Sequence, residues 1–384
     1  MRRFISQIEN IEKVSEEIAV LKKNGKDYSI DRGRTQKLID RLHPKKVELV
    51  LSEIIGRTDE AKTFRFVSKN GYLPPFEAGQ YINIFAEIDG VRTSRPYSLS
   101  SSPRQRAYYD ITIARIKRGF VSDYFLDKAK VGDSFEASAP AGEFHYNPVF
   151  HGKDLVFLAG GSGITPFMSM TKEVLNVGLD RNIHLIYGAR TEKSAIFLEE
   201  LRDLSARHDN FKFTLIVSEP TEDYKGETGF ITGECIKKQI KNLDSATFYI
   251  CGPQVMYDFC KSELSKLGVE NKRIHQEMFG SRQDIQNEPG WPENLTGKEE
   301  FTVNLSDGRK IKVLSGESLL TSLERAGVRV NVCCRSGECS LCRVKLVSGK
   351  VFMPRGVLLR YVDEKYGYIH SCKAYPMSDL EVIL

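Results

Sequence analysis

The spacing of hydrophobic positions changes three times along this chain, and each change predicts a different kind of structure. Over residues 1–24 the apolar side chains recur at three- and four-residue steps, which predicts an amphipathic helix. A second short helix is predicted from Thr35 to Leu42, because His43-Pro44 ends it. Residues 1–46 therefore form a helical N-terminal extension, in which twelve Lys and Arg stand against seven Asp and Glu.

Residues 47–150 carry short alternating segments, rich in β-branched and aromatic residues, that Gly, Asp and Pro separate. This pattern predicts an antiparallel β-barrel. The predicted strands are Val47–Ile55, Thr63–Val67, Tyr81–Ile88, Tyr109–Ile116 and Ser134–Ala139.

Residues 151–279 alternate short apolar strands with helices, which is the pattern of a doubly wound parallel α/β sheet. The predicted strands are Asp154–Ala159, Ile183–Tyr187, Phe213–Val217 and Thr247–Cys251, and the predicted helices are Pro166–Leu175, Phe197–Ala206 and Gln254–Leu267. Residues 280–298 contain two prolines and many polar residues, so we expect a linker there. A small α+β domain is predicted over residues 299–384.

Composition and charge exclude several classes of protein. Of the 384 residues, 41% are hydrophobic and 28% charged, which indicates a globular protein. No apolar run approaches the ~20 residues of a transmembrane helix, and the first residues lack the apolar core of a signal peptide. We therefore expect a cytoplasmic protein without a transmembrane segment. A net charge of +5 is too small to indicate nucleic-acid binding.

Five of the eight cysteines fall in the last 52 residues, and such clustering in a protein of this kind predicts a metal site. Cys334, Cys339 and Cys342 have the C-x4-C-x2-C spacing of a plant-type [2Fe–2S] site, with Cys372 as the fourth ligand. Four cysteines would also hold Zn²⁺, although zinc ribbons use two C-x2-C pairs and this segment has one.

These residues resemble the ferredoxin-type domain at the C-terminus of modular reductases of the ferredoxin–NADP⁺ reductase superfamily. The resemblance implies a β-grasp fold for residues 299–384. Ser340 stands where the family more often has Gly. His370, close to Cys372, is expected at the surface because the four cysteines already complete the site.

The segment Arg95-Pro96-Tyr97-Ser98 resembles the RxY[ST] flavin signature of the same superfamily. The resemblance implies that Arg95 pairs with a flavin phosphate, that Tyr97 lies against the flavin, and that Ser98 lies near N5. Without the family, an edge-strand arginine beside a core tyrosine would explain the segment equally well.

A second flavin element follows at Gly119, Val121 and Ser122, where a helix is predicted to begin and to run through Lys128. Backbone N–H groups at this helix start, with the Ser122 hydroxyl, are expected to form a pyrophosphate cradle. FMN-dependent relatives are richer in glycine here, so the segment favours FAD over FMN.

The predicted strand Asp154–Ala159 runs into Gly160, Gly161, Gly163 and Thr165 of a GGxGxTP element, whose helix start suits a pyrophosphate. In the family this element binds the nicotinamide cofactor.

Cys251-Gly252-Pro253 resembles the family's CGP element, which implies that Cys251 lies at the nicotinamide; a buried structural cysteine is the alternative. Glu277-Met278-Phe279 resembles the E-x-F ending, which implies Glu277 near the flavin and Phe279 over its ring. Ser98, Cys251 and Glu277 are thus the predicted catalytic set, in the sense of positioning.

The choice between NADH and NADPH depends on two segments. Arg190 follows a strand and could hold a 2′-phosphate. Ser218-Glu219, however, stands where NADPH-using relatives carry Ser-Arg, and a carboxylate there would repel the phosphate. The sequence favours NADH and leaves NADPH open.

These motifs predict an oxidoreductase that passes electrons from NADH through FAD to the cluster and on to a partner redox protein or oxygenase. Two alternatives remain: an electron-transfer subunit of a stable complex, similar to that of some dihydroorotate dehydrogenases, and a self-standing flavin or ferric reductase. From Glu299 onward thirteen basic residues exceed ten acidic ones, and Arg335 and Arg343 flank ligands, so we expect an acidic surface on the partner. The apolar stripe of the N-terminal extension favours packing against the protein's own body, with docking of a partner, dimerisation and attachment to a membrane surface as alternatives.

Overall fold

A computed structural model describes residues 11–25, 33–42, 44–88, 90–116, 119–147, 149–277, 285–332, 334–337, 339–355 and 357–384. The chain divides into two compact units, Met1–Lys45 and Lys46–Leu384. The second unit contains the three predicted domains.

The first unit contains two helices, α1 (Ile11–Asn24) and α2 (Arg34–Leu42). Both predicted helices are confirmed over these residues, while residues 1–10 lie outside the described part. Glu12 in the first turn of α1 and Lys22 and Lys23 in the last complement the helix dipole. No residue of α1 is buried, and the packing of its apolar stripe stays a prediction.

The predicted barrel is confirmed as a six-stranded antiparallel sheet in the order β4-β3-β6-β1-β2-β5. A bridge between Leu99 and Ile111 joins the end of β4 to β5 and closes the sheet. Alternation places Val47, Leu49 and Leu51 of β1 in the barrel core. The strands are β1 (Lys46–Thr58), β2 (Ala61–Ser68), β3 (Tyr81–Ile88), β4 (Val91–Ser98), β5 (Tyr109–Ala114) and β6 (Ser134–Ser138), and helix α3 is Phe120–Asp127.

The predicted α/β domain is confirmed as a six-stranded parallel sheet in the order β10-β9-β8-β7-β11-β12. Strand β7 reads as a continuous apolar run because hydrophobic clusters cover both faces of the sheet. The strands are β7 (Asp154–Gly160), β8 (Asn182–Ala189), β9 (Phe211–Val217), β10 (Glu227–Thr228), β11 (Thr247–Cys251) and β12 (Ile274–Glu277). The helices are α4 (Ile164–Val177), α5 (Leu198–Arg207), α6 (Gly233–Gln239) and α7 (Gln254–Lys266).

The third domain is a five-stranded mixed sheet in the order β14-β13-β19-β15-β17, beside a two-stranded sheet of β16 and β18. Helix α8 (Leu319–Arg325) contributes Leu319 and Leu323 to the core of this domain, which gives the predicted α+β fold. The strands are β13 (Glu300–Leu305), β14 (Lys310–Leu314), β15 (Arg343–Ser348), β16 (Val351–Phe352), β17 (Tyr368–His370), β18 (Tyr375–Pro376) and β19 (Leu380–Ile383), and helix α9 is Tyr361–Lys365.

The segment predicted as a linker contains buried residues where it is described. Ile285, Trp291 and Leu295 form a cluster with Tyr375 of the third domain. The Trp291 indole N–H donates to the Leu295 carbonyl at 2.6 Å. From residue 285 onward the segment is therefore packed against the domain that follows it. Among the described helices, none has the length and apolar character needed to cross a membrane.

Candidate functional site

Two domains meet at the predicted catalytic set. Cys251 ends β11 and is paired in register with Glu277, the last residue of β12. The hydroxyl of Ser98, at the end of β4 in the barrel, donates to Glu277 Oε2 at 3.2 Å. Ser98 and Cys251 are both buried. The structure thus brings together all three side chains, although they lie on three different strands.

Tyr257 of α7 supports this junction, and the motifs in the sequence did not indicate it. Its hydroxyl donates to the carbonyl of Glu277 and accepts from the Gly252 N–H at 3.1 Å. Burial raises the pKa of the Cys251 thiol well above its ordinary value, with the Glu277 carboxylate adding to the effect. Cys251 is consequently a neutral thiol, suited to packing and positioning rather than to nucleophilic attack.

The glycines of the GGxGxTP element also serve a purpose other than the predicted approach to a pyrophosphate. A Cβ on Gly163 would lie 2.1 Å from the Cys251 carbonyl oxygen, and a Cβ on Gly252 would lie 3.1 Å from the Gly160 Cα. The loops after β7 and β11 therefore pack backbone against backbone. Gly161 differs, since it has a φ of +52° and open space around its Cα.

The Thr165 hydroxyl donates to the Ser162 carbonyl at 2.7 Å and closes the first turn of α4. This bond fixes the start of the helix whose free N–H groups suit a phosphate.

Arg95 lies on β4 with its guanidinium at a junction between the barrel and the third domain. Its Nη1 donates to Thr93 Oγ1 and to the Ser94 carbonyl, each at 2.8 Å, and lies 3.6 Å from Glu324 Oε2 of helix α8. Burial, and then the nearby charge of Arg335, lower the pKa of Arg95 to about 10. A phosphate at this position would relieve that excess of positive charge.

A cavity of about 560 Å³ adjoins Arg95, and it fits the diphosphate-bearing cofactor that the motif implies. Of the predicted cradle residues, Gly119 lines the cavity, whereas Val121 is buried in the barrel core. The Ser122 hydroxyl accepts from the Ile116 N–H at 3.4 Å, so it serves the turn before the helix.

The two residues that bear on the choice of nicotinamide cofactor are joined through their backbones. Arg190 follows β8, and its carbonyl accepts from the Glu219 N–H at 2.7 Å.

On the flavin side, Tyr97 lies beside Phe125 with ring centroids 6.2 Å apart. Pro96 sits on the edge strand, where a missing N–H costs no ladder bond. Phe279 lies outside the described residues.

The four predicted cluster ligands form two pairs. Cys342 Sγ and Cys372 Sγ lie 3.2 Å apart, and Cys334 Sγ accepts from the Cys339 N–H at 3.4 Å. A [2Fe–2S] cluster takes two cysteines on each of two irons, so paired thiols fit it.

The Cys342 and Cys372 side chains are hydrogen-bonded to each other. The hydrogen bond from Cys372 lowers the pKa of Cys342 to about 7, and the same bond raises the pKa of Cys372. Loading of the metal would release the thiol protons, because thiolates are the ligands.

Three of the described residues in the cluster loop lie in the left-handed region. Gly337 has a φ of +88°, Arg335 of +55° and Ser340 of +56°. The value at Ser340 explains why Gly is common there in the family, since a side chain is strained at that φ.

The expectation that His370 lies at the surface is wrong. The residue is fully buried at the end of β17, and its Nδ1 lies 3.0 Å from the Gly337 carbonyl oxygen. In the Nδ1–H tautomer the ring donates to the cluster loop and holds it in place. The sequence favoured an exposed imidazole because it did not show that the strand before Cys372 turns inward.

The expectation that Arg335 adds to a basic surface is also wrong. Its side chain is buried and paired with Glu324, and its Nε donates to the Ser94 carbonyl at 2.8 Å. Arg343 is half exposed, but it is bound to Asp363 at 3.0 Å.

Comparison with protein families divides the chain as the structure does. The oxidoreductase FAD-binding domain matches residues 47–146, the oxidoreductase NAD-binding domain residues 157–262, and the 2Fe-2S iron–sulfur cluster binding domain residues 301–377. The chain binds FAD, NADH and a [2Fe–2S] cluster.

Similar proteins align with this chain over nearly their whole length. The glycine betaine monooxygenase reductase subunit of Chromohalobacter salexigens is 27% identical over 344 residues, which cover 86% of this chain and 93% of the relative. The ferredoxin reductase component of the 3-ketosteroid-9-alpha-monooxygenase of Mycobacterium tuberculosis is 28% identical over 354 residues, 87% of this chain and 94% of the relative. Among solved structures, phthalate dioxygenase reductase, described as a modular structure for electron transfer from pyridine nucleotides to [2Fe–2S], is 28% identical. It superposes with a TM-score of 0.64 over 88% of this chain and 97% of its own.

Proposed function

This chain is a ferredoxin–NADP⁺ reductase-like oxidoreductase with a C-terminal [2Fe–2S] domain, and from that premise we propose that it is the reductase component of an oxygenase system. It takes electrons from NADH and passes them through FAD and the cluster to a separate partner. The observation that carries this proposal is the contact of all three domains around β4. Its Ser98 reaches the nicotinamide domain, and its Ser94 carbonyl is bound by Arg335, next to the cluster ligand Cys334.

Bound FAD supplies the exchange between a two-electron hydride and single electrons. The residues of the chain bind and orient the carriers. We propose that Arg95 and the start of α3 hold the FAD phosphates, with Gly119 in the cavity wall and Tyr97 against the flavin. Gly160, Gly161, Gly163 and Thr165 would hold the NADH pyrophosphate and nicotinamide.

Ser98, Cys251 and Glu277 are proposed as the positioning set for hydride transfer. Their mutual contacts fix the spacing between the barrel and the nicotinamide domain, which hydride transfer requires to be short. The neutral, buried thiol of Cys251 provides a packing surface without a charge. No side chain needs to act as a general base.

The proposed electron exit is the exposed part of the cluster domain beside the ligand loop. Leu341, inside that loop, is 52% exposed and Leu358, whose N–H donates to the Gly337 carbonyl at 3.2 Å, is 62% exposed. The domain has thirteen basic and ten acidic residues, and twelve and nine remain without the buried pair of Arg335 and Glu324. This excess of basic residues favours a partner with an acidic surface around the apolar patch. Partner reduction whose rate did not fall with added salt would contradict the charge argument.

Anaerobic titration of the purified protein with NADH, and separately with NADPH, tests the proposal. Stoichiometric bleaching of the flavin and iron–sulfur bands by NADH is expected. Because Glu219 lies beside Arg190, NADPH is expected to be the poorer donor. Bands that stay oxidised with both donors would reject the proposal and favour an electron-transfer subunit that is fed from elsewhere. A cytoplasmic location is part of the proposal, because reduced thiols and NADH occur together in that compartment.

A further inference from the structure

The cavity at Arg95 is built by two domains. Its barrel side includes Arg95, Gly119 and Tyr124, and its other wall is helix α8 of the cluster domain, through Thr321, Glu324 and Arg325. The matched FAD-binding region ends at residue 146, so these three residues belong to a domain to which no flavin contact is assigned.

A buried charge cluster lies at the boundary between these two walls. Glu324 is paired with Arg335, lies 3.6 Å from Arg95, and lies 3.4 Å from the Thr93 hydroxyl. Thr93 in turn accepts from Arg95 at 2.8 Å and from Arg335 at 3.4 Å. Glu324 and Arg335 are less than a tenth exposed.

In this charge cluster two guanidinium groups face one carboxylate, so a net positive charge lies beside the open cavity. The carboxylates of Asp123 and Asp127 also line the cavity, but both are paired with Arg115. Buried charges are normally compensated, and an anion in the cavity would provide that compensation. The FAD diphosphate is the anion that the neighbouring Gly119 and helix start are arranged to receive.

We propose that the cluster domain forms part of the FAD-binding site, with Glu324 as a positioning residue that holds Arg95 at the diphosphate. Glu324 keeps the two arginines together and sets the direction of Arg95, while Thr321 closes the cavity from the side of the cluster domain. FAD binding and docking of the cluster domain are then coupled, because the same carboxylate serves both. This inference rests on the FAD-dependent function proposed above.

The experiment compares the unmodified protein with its variants in the release of FAD from diluted holoprotein. The rise in free-flavin fluorescence measures that release. Glu324→Gln is expected to raise the FAD dissociation constant about tenfold or more, because the two arginines then repel each other with no carboxylate between them and Arg95 is no longer held at the diphosphate. Glu324→Asp retains the charge and is expected to recover part of the affinity. Asp363→Asn is the matched control, because Asp363 is a buried carboxylate of the same domain that binds Arg343, next to the ligand Cys342. It is expected to release FAD as the unmodified protein does.

Thr321→Trp provides a second test that does not disturb the buried charges. Thr321 is partly exposed and lines the cavity, so the indole would occupy space needed by FAD. Loss of FAD affinity with an unchanged iron content and iron–sulfur spectrum would support the proposal, even if the Glu324→Gln protein did not fold.

Two outcomes would overturn the inference. One is release of FAD at the unmodified level from both the Glu324→Gln and Thr321→Trp proteins. The other is equal release from Asp363→Asn and Glu324→Gln, which would indicate general loosening of the domain. Neither measurement uses NADH. If NADH failed to bleach the unmodified protein, the proposed function would be wrong, but the FAD dissociation constants would still test this inference.

Discussion

At the residue scale, Ser98 donates one of the hydrogen bonds that join the barrel to the nicotinamide domain. Its hydroxyl donates to Glu277 Oε2, and a hydrogen bond to a charged group contributes about 1.5–3 kcal/mol. Ser98→Ala is therefore expected to slow flavin reduction by NADH at least about tenfold in anaerobic stopped-flow measurements. The FAD content should stay unchanged, because the variant leaves Arg95 in place.

Ser100→Ala is the matched control for that measurement. Ser100 is equally buried two residues further on, but its hydroxyl contacts Asp110 and Thr112 inside the barrel. It is expected to reduce stability without slowing flavin reduction. Equal slowing by both variants would show that the Ser98 contact to Glu277 has no specific role in hydride transfer.

Ser340 offers a second test at this scale, since it holds a left-handed backbone conformation in the ligand loop. Such a conformation costs a residue with a side chain roughly 1–2 kcal/mol, whereas Gly adopts it freely. Ser340→Gly is expected to prolong the half-life of the visible cluster spectrum on heating, about fivefold for 1 kcal/mol. Gly337→Ala should shorten it, because its φ is +88° and a Cβ would lie 3.0 Å from Lys373 Cγ. A Ser340→Gly protein that loses its cluster faster would contradict this explanation.

At the element scale, the ends of β7 and β11 depend on each other through backbone contact. Gly163→Ala would place a Cβ 2.1 Å from the Cys251 carbonyl oxygen, so one of the two loops must move. We expect a loss of about 1–3 kcal/mol in the stability of the nicotinamide domain, together with weaker NADH binding. Thermal unfolding and NADH titration of the same preparations would measure both effects.

Gly178→Ala is the control for strain without a clash. Gly178 ends α4 with a φ of +65° and nothing near its Cα, so the substitution costs only the left-handed conformation. It should lower stability without weakening NADH binding. If Gly163→Ala affected NADH no more than Gly178→Ala does, the contact between the loops would have no part in the nicotinamide site.

Local pattern predicted most elements of this fold, because each domain buries its own core. Tyr81–Ile88 and Thr247–Cys251 have the predicted bounds, since alternation and continuous apolar runs both depend on burial nearby in the chain. Helix α6 and strand β12 were not predicted. β12 has only four residues, none of them buried, so it carries no apolar pattern from which a strand could be predicted.

The residues of the site also fall into those that the sequence could predict and those that it could not. The motif glycines, Ser98 and the four cysteines could be named from the sequence because their spacing is local. The pairing of Arg335 with Ser94 could not, since 241 residues separate the two, and neither could the buried positions of His370 and Arg335. Contacts between domains leave no periodic signal in the chain.

At the scale of the whole molecule, acid sensitivity is expected to begin in the nicotinamide domain. Burial lowers the pKa of His184 on β8 from 6.5 to about 4, with the charge of Lys212 as a smaller cause, and the pKa of His151 is lowered similarly by burial and by His275. In the unfolded chain these histidines bind protons below about pH 6.5, whereas in the folded protein they stay neutral until the pH reaches about 4. Stability contributed by these neutral rings is therefore present above 6.5 and is lost as the pH falls toward 4.

His184→Gln tests this sign. The amide can keep a hydrogen bond to the Thr214 hydroxyl, which lies 3.1 Å from His184 Nε2, but it does not titrate. Between about pH 7.5 and about pH 5.5, the unmodified protein is expected to lose about 1 kcal/mol more stability than the variant. Denaturant unfolding of the nicotinamide domain at both pH values, with loss of NADH binding as the signal, would measure the difference. His151 is present in both proteins, so its contribution cancels in the comparison. Parallel losses in the two proteins would mean that His184 is protonated in the folded state, and that acid acts first on another part of the molecule.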